Sequence, residues 1–287
     1  MDISIVIVNY NVKEFIIPCI QSIYNHSKSR YSFEIIVVDN NSKDGSKHEL
    51  IQKFPKVLLI ENNYNAGFSR AINQGVKKAR GKYLFILNPD TLLVEDSLRK
   101  LIEKANNKKN LGAIGPVMIS EKGSIQQSCW RYPSLINTIL SIFHLDFLNY
   151  YKNYSGKKFD GFSKVDSISG GAFFLPKNIF IKLGGFNEDL FWMEDIDFCL
   201  RLNKIGFIAY YFTKTKIIHF KGKSAEKNYK IAISNQLKSK IKFFNKHHYK
   251  LSAFIILISV ISISIIKLAL LLFAIPFSKS YRKKFFA

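Results

Sequence analysis

Short runs of β-branched and aromatic residues alternate with helically spaced ones over the first hundred residues. Ile3 to Val8, Glu34 to Val38, Val57 to Ile60 and Tyr83 to Leu87 end in polar turn formers and read as buried strands. Between the first two, Ile16, Ile17, Ile20 and Ile23 recur on one helix face; between the last two, Ala66 to Ala79 reads as another helix. Such alternation implies right-handed crossovers and a mostly parallel central sheet flanked by helices, an α/β fold. A polar helix from about Leu101 to Gly115 then leads into the strand "AIGPVM". Residues 120–165, rich in Tyr, Phe, Ser and Asn, read as a long loop or an inserted helical excursion. "SISGGAFFLP" follows as a strand entered through Gly170 and Gly171, where a missing Cβ lets backbone approach a ligand.

Ligands of such sheets gather beyond the carboxyl ends of the strands. The strand exits here are Asn9-Tyr10-Asn11, Asp39-Asn40-Asn41, Asn62-Asn63 and Asn88-Pro89-Asp90. Turn chemistry explains any one of them; four in succession point to a polar pocket along one edge. No GxGxxG follows the first strand and no GxxxxGK[ST] occurs, so dinucleotide and P-loop sites are unsupported. Phosphates in this pocket need another cation, and a metal ion held by Asp90 is one source. The lesser alternative is that Asp90 caps a helix starting near Leu92.

The far end of the chain has a different character. Leu251 to Phe277 is almost wholly apolar, interrupted by Lys267, Pro276 and several serines, and is long enough to cross a bilayer. Lys238, Lys240, Lys242, Lys246 and Lys250 precede it, and Lys279, Arg282, Lys283 and Lys284 follow. Basic residues on both sides leave a single span, a re-entrant hairpin and an interfacial anchor open. The expected division is 1–235 (halves 1–100 and 101–235) and a membrane-associating tail, 236–287. The amino terminus shows no signal-peptide pattern.

Composition sharpens this only in part. The 287 residues carry 43 Lys and Arg against 21 Asp and Glu, a net charge of +22. Only seven of the basic residues are Arg, while Ile, Asn, Lys, Phe and Tyr are abundant, so part of the charge is compositional drift. The remainder favours an anionic partner, nucleotide phosphates or anionic lipid. Arg-rich helices and zinc spacings are absent, which argues against a nucleic-acid reader. Cys19, Cys129 and Cys199 are odd in number and widely spaced, as buried thiols in a reducing compartment would be.

Against this basic background stands the cluster Glu194-Asp195-Ile196-Asp197. Flanking Phe191, Trp192 and Phe198 suit an enclosed carboxylate tuned as a base. Acids in a first helical turn meet the positive end of the dipole, which is the structural alternative. Asp197 pairs naturally with Arg201 one turn on. Trp192 is either an acceptor platform or ordinary core.

The strings "SIVIVNYN", "VVDNNSKDGS", "NAGFSRAINQG", "YLFILNPD", "SGGAFFLP", "GGFNEDLFWMEDIDFCLR" and "HFKGKS" occur in that order over residues 2–225. Together they resemble the family 2 glycosyltransferases of GT-A fold, in particular the rhamnosyltransferase-like bacterial branch. The resemblance implies an inverting transferase that moves a sugar from dTDP-rhamnose or a UDP-sugar to a lipid-linked or surface-polysaccharide hydroxyl. It implies Asn9, Tyr10, Asn11 and Asp39 near the base or ribose, and Asn65, Arg70 and Asn73 lining the donor pocket. Asp90 matches the last acid of the DXD metal motif, whose first acid is Asn88 here, an amide without charge. His219 is implied as a further metal or phosphate contact; a core histidine is the alternative. Asp195 is implied as the base, with Glu194 beside it, and Mg²⁺ or Mn²⁺ as cofactor. Gly170, Gly171 and Trp192 then fall on the acceptor side. With the apolar tail, the expected place is the cytoplasmic face of a bacterial membrane, attached through residues 251–277. The rivals are a catalytically inactive nucleotide-sugar- or membrane-binding protein and a nucleotidyltransferase, which should carry an early Gly- and Lys-rich phosphate loop. No such loop is present.

Overall fold

The computed structural model describes residues 1–27, 31–145, 148, 154, 159–220, 229–248 and 250–274. It divides into two compact units, Met1–Tyr132 with Asn153–Gln236, and Pro133–Lys152 with Leu237–Ala287.

The first unit is built on a sheet whose leading strands are β1 (Ile3–Asn9), β2 (Phe33–Asp39), β3 (Leu58–Glu61) and β4 (Tyr83–Leu87). They run parallel in the order β3-β2-β1-β4. Helices α1 (Lys13–His26), α2 (Ser46–Lys53) and α3 (Phe68–Lys78) make the crossovers. All seven residues of β1 are buried, and their two-residue period serves two cores. Ile3, Ile5 and Ile7 pack with Ile16 and Ile20 of α1 and Leu50 of α2, whereas Val6 and Val8 pack with Ala71, Ile72 and Val76 of α3. A sheet buried on both faces explains the unbroken apolar runs.

Beyond β4 the sheet becomes mixed. β5 (Thr91–Leu93) follows at once, so the helix expected near Leu92 is absent and Asp90 caps nothing there. The helix expected over 101–115 is also displaced: α4 spans Ser97–Asn106. Asp96 caps it by accepting from the Arg99 N–H, and Leu98, Leu101, Ile102 and Ala105 form its buried stripe. The chain then turns through Asn110 at φ +57° into β6 (Leu111–Ile119).

Residues 120–165 contain the short strands β7 (Ile125–Gln126) and β8 (Cys129–Trp130), the helix α5 (Leu135–Ile142) and β9 (Phe162–Val165). There follow β10 (Ser167–Ile168), β11 (Ala172–Pro176), α6 (Lys177–Lys182), α7 (Glu194–Lys204) and β12 (Ile208–His219). β11 inserts antiparallel between β4 and β6, β12 runs parallel to β6, and β5 closes the edge antiparallel to β12. Cys19, Cys129 and Cys199 are buried and form no disulfide, as expected.

In the second unit α5 packs on α9 (Lys250–Ala274), which follows α8 (Tyr229–His247). Lys250–Leu270 has a mean hydropathy of 2.6 and is only 17% buried, so by length and composition it could cross a membrane.

Candidate active site

The strand ends lie flush: Asn9 pairs with Asp39, and Asp39 with Glu61. Asn9 and Asp39 are fully buried, and the Asn9 amide donates to Asp39 Oδ2 at 2.6 Å and to Ser46 Oγ at 2.7 Å. Asp39 Oδ1 accepts from the Ser42 N–H at 2.8 Å. A second network joins Asn40 to Asn65 Oδ1 and Gly67 O, and Asn62 to Asn40 and Gln74. Much of the polar edge therefore satisfies itself, as buried polar groups must. Tyr10 and Asn11 (φ +53°) are half-buried, as are Asn41 and Asn62, while Asn63 and Asn65 are exposed.

Arg70 and Asn73 are placed differently from the rest of the expected donor set. Arg70 Nε donates to Glu188 Oε2 at 2.8 Å, and Asn73 Nδ2 donates to Glu188 Oε1 at 3.0 Å and Phe186 O at 2.9 Å. They clasp the loop that precedes α7. Gly185 in that loop has φ +77°, and a Cβ there would stand 2.5 Å from Asn73 Oδ1, so only glycine fits.

Asp195 is held at the start of α7 by two N–H donors, Gly170 to Oδ2 at 2.8 Å and Ile196 to Oδ1 at 2.7 Å. The next residue, Gly171, accepts at its carbonyl from the Asn88 N–H at 2.9 Å. Two consecutive glycines thus tie the acidic helix to the Asn88-Pro89-Asp90 turn. A Cβ on Gly171 would meet Met118 Cε at 3.0 Å and Asn88 Nδ2 at 3.2 Å, so here the close approach is to protein groups.

Burial pushes the Glu194 carboxyl well above the usual range, and the neighbouring Asp195 charge raises it further. Burial also raises Asp195, though less, because the Gly170 and Ile196 N–H groups favour its anion. Both carboxyls are thus held above the usual range by burial, and charge on one opposes ionisation of the other. Asp197 is a helix acid: its Oδ2 accepts from Arg201 Nε at 2.8 Å and Nη2 at 2.7 Å. Arg201 also donates to Leu183 O and Gly185 O. Trp192 has φ +61°, uncommon for a bulky residue, and is 39% exposed, so it is not ordinary core.

On the other side of the turn, Asp90 is 1% exposed and His219 Nε2 stands 3.6 Å from its Oδ1. The Phe220 N–H donates to Asp90 O at 2.9 Å, and Thr91 pairs with His219 across β5 and β12. Gln126 fixes the imidazole. Its Nε2 donates to His219 O at 2.8 Å, which turns its Oε1 toward Nδ1 at 2.9 Å. A carbonyl oxygen can only accept, so Nδ1 carries the proton and Nε2 faces Asp90. An oxygen and a ring nitrogen suit a divalent cation. Among the described residues no group of three or more His, Cys, Asp or Glu could hold one. Asp90 and His219 thus offer two donors toward such an ion, one carboxylate and one imidazole. Gly222 and Ser224 of "HFKGKS" lie outside the described residues.

Sequence reasoning missed Gln126 and Glu188. Gln126 gave no signal, being one of two glutamines in an aperiodic segment; Glu188 stood six residues before the acidic cluster, in "NED".

A model of the family "Glycosyl transferase family 2" matches residues 4–184. The chain is 26% identical over 212 residues to the N-acetylglucosaminyl-diphospho-decaprenol L-rhamnosyltransferase of Mycobacterium tuberculosis, covering 66% of this chain and 67% of that protein. It is 31% identical over 112 residues to the minor teichoic acid biosynthesis protein GgaB of Bacillus subtilis, which spans 38% of this chain and 12% of that protein. Among solved structures, a crystal structure of GalNAc-T7 with UDP, GalNAc and Mn²⁺ superposes with a TM-score of 0.60 at 15% identity, over 76% of this chain and 44% of that one. That likeness shows the GT-A fold.

Proposed function

Because the chain belongs to glycosyl transferase family 2, we propose that it is an inverting transferase acting on a nucleoside-diphosphate sugar, dTDP-rhamnose or a UDP-sugar. The acceptor is a hydroxyl of a lipid-linked or cell-surface polysaccharide precursor. The names of the mycobacterial and Bacillus relatives support that acceptor class. The observation that carries the reading is the pair of hydrogen bonds from the Gly170 N–H to Asp195 Oδ2 and from the Asn88 N–H to Gly171 O. They put a desolvated carboxylate and an Asn-Pro-Asp turn on neighbouring peptide units.

In the proposed step Asp195 takes the proton of the acceptor hydroxyl, whose oxygen bonds to the anomeric carbon from the face opposite the leaving group. The bond to the donor's phosphate oxygen breaks, and the nucleoside diphosphate leaves with that electron pair. Glu194 is the buried carboxyl beside it, and burial holds it above the usual range. Tyr10, Asn11 and Asn65 stand where a nucleoside would meet the sheet edge, and Trp192 offers a face for the acceptor. Asp90 and His219 would hold Mg²⁺ or Mn²⁺, which supplies positive charge for the departing diphosphate. Asn88 can add a neutral carbonyl ligand. The apolar α9 would keep the site at the cytoplasmic face of the cell membrane.

The test is a transfer and hydrolysis screen of the purified protein against dTDP-rhamnose and a panel of UDP-sugars, with and without EDTA. Turnover of one donor, lost with EDTA and restored by Mn²⁺ or Mg²⁺, is expected. No binding or turnover of any donor would overturn the reading.

A further inference from the structure

The chain's positive charge is segregated. After Glu226 there are twelve Lys and Arg and no Asp or Glu, so more than half of the net +22 lies in the last 61 residues. Compositional drift would spread it evenly. Within α8, Lys238, Lys242 and Lys246 recur every four residues and are all exposed. That spacing puts them on one helix face. The other face is buried through Ser239, Phe243 and Phe244.

Lys250 opens α9, whose Leu251, Phe254, Leu257, Ile258, Ile261 and Ile265 are 39–66% exposed. Ile136 of α5, which packs on α9, is 70% exposed. Lys267, the one cation inside the apolar run, has its Nζ 3.0 Å from His144 Nε2 just past α5. Exposed apolar surface next to a cationic face matches the headgroup and acyl layers of a bilayer. A nucleic acid offers no apolar medium for α9, and the described part of the segment has no Arg, the side chain best shaped for phosphate.

We propose that this unit docks on an anionic lipid surface, with Lys238, Lys242 and Lys246 as its headgroup contacts. The proposal rests on the membrane attachment proposed above and adds its lipid selectivity. Each lysine near an anionic surface is worth roughly fivefold in partitioning, so the three together give about a hundredfold.

The full chain is to be floated with vesicles of phosphatidylcholine alone and of phosphatidylcholine mixed with phosphatidylglycerol. The wild type should prefer the mixed vesicles about a hundredfold at low salt, and the preference should collapse as salt rises. Lys238→Gln/Lys242→Gln/Lys246→Gln should lose the preference yet still bind neutral vesicles, and the Lys→Arg triple should keep it. Equal partitioning by the wild type, or an unchanged preference in the Gln triple, overturns the lysine contacts while attachment stands. Flotation with neither vesicle overturns attachment itself. Displacement from mixed vesicles by equimolar RNA identifies a nucleic-acid surface and also overturns the proposal.

Discussion

Gln126 grips His219 at both ends, donating to its carbonyl at 2.8 Å and facing its Nδ1 at 2.9 Å. The first bond sets the amide orientation, and that orientation sets the imidazole tautomer. Partners of this kind change metal affinity by about 10–100-fold in known sites. Gln126→Leu should therefore weaken Mn²⁺ binding, measured by electron paramagnetic resonance with UDP present, by about that factor. A variant that binds Mn²⁺ like the wild type, while His219→Ala does not, would refute the orienting role.

Asp195→Asn should cut transfer by about 10²–10⁴-fold, the contribution of a positioned base. Donor binding should survive, because the amide oxygen can still accept from Gly170 N–H. Isothermal titration with the donor separates the two effects. Unimpaired transfer would eliminate Asp195 as base.

How much of this arrangement is legible in the sequence follows from the range of the forces involved. The strand exits are readable because β-branched runs stop abruptly at Asn9, Asp39 and Asn88. The Asp197–Arg201 pair is readable because helix geometry brings residues four apart together. Gln126 is not, since a two-residue strand has no periodicity and its partner lies 93 residues away. Arg70 and Asn73 read as pocket residues, but their partner Glu188 sits on a loop whose path depends on two positive-φ glycines, Gly184 and Gly185. α4 starts ahead of Leu101 because Asp96 caps it and its apolar stripe already begins at Leu98.

The buried pair also predicts a pH signature. Glu194 is raised in the folded state, so between the ordinary glutamate range and its own raised value the folded protein holds a proton that the unfolded chain has released. Stability must then fall as pH rises through that window, with a limiting slope of about 1.4 kcal/mol per pH unit for one proton. Glu194→Gln removes this titration. Urea melts from pH 5 to pH 9 should show a flatter profile for the variant. Parallel profiles would mean that Glu194 is ionised throughout.

Two ion pairs near the site differ in what their loss should cost. Arg70 and Glu188 are 48% and 40% exposed at their side chains, so Glu188→Gln should cost well under ~1 kcal/mol. Asp197 is fully buried and Arg201 is 17% exposed. Arg201→Met strands the Asp197 carboxylate and frees the carbonyls of Leu183 and Gly185, for a loss of about 3–5 kcal/mol. Asp197→Asn keeps an acceptor for Arg201 and should cost less. Because α7 carries Asp195 as well as Asp197, the Arg201→Met protein that remains folded should also show a lower kcat. Chemical melts of the three variants rank them; a Glu188→Gln loss equal to that of Arg201→Met would contradict the burial argument.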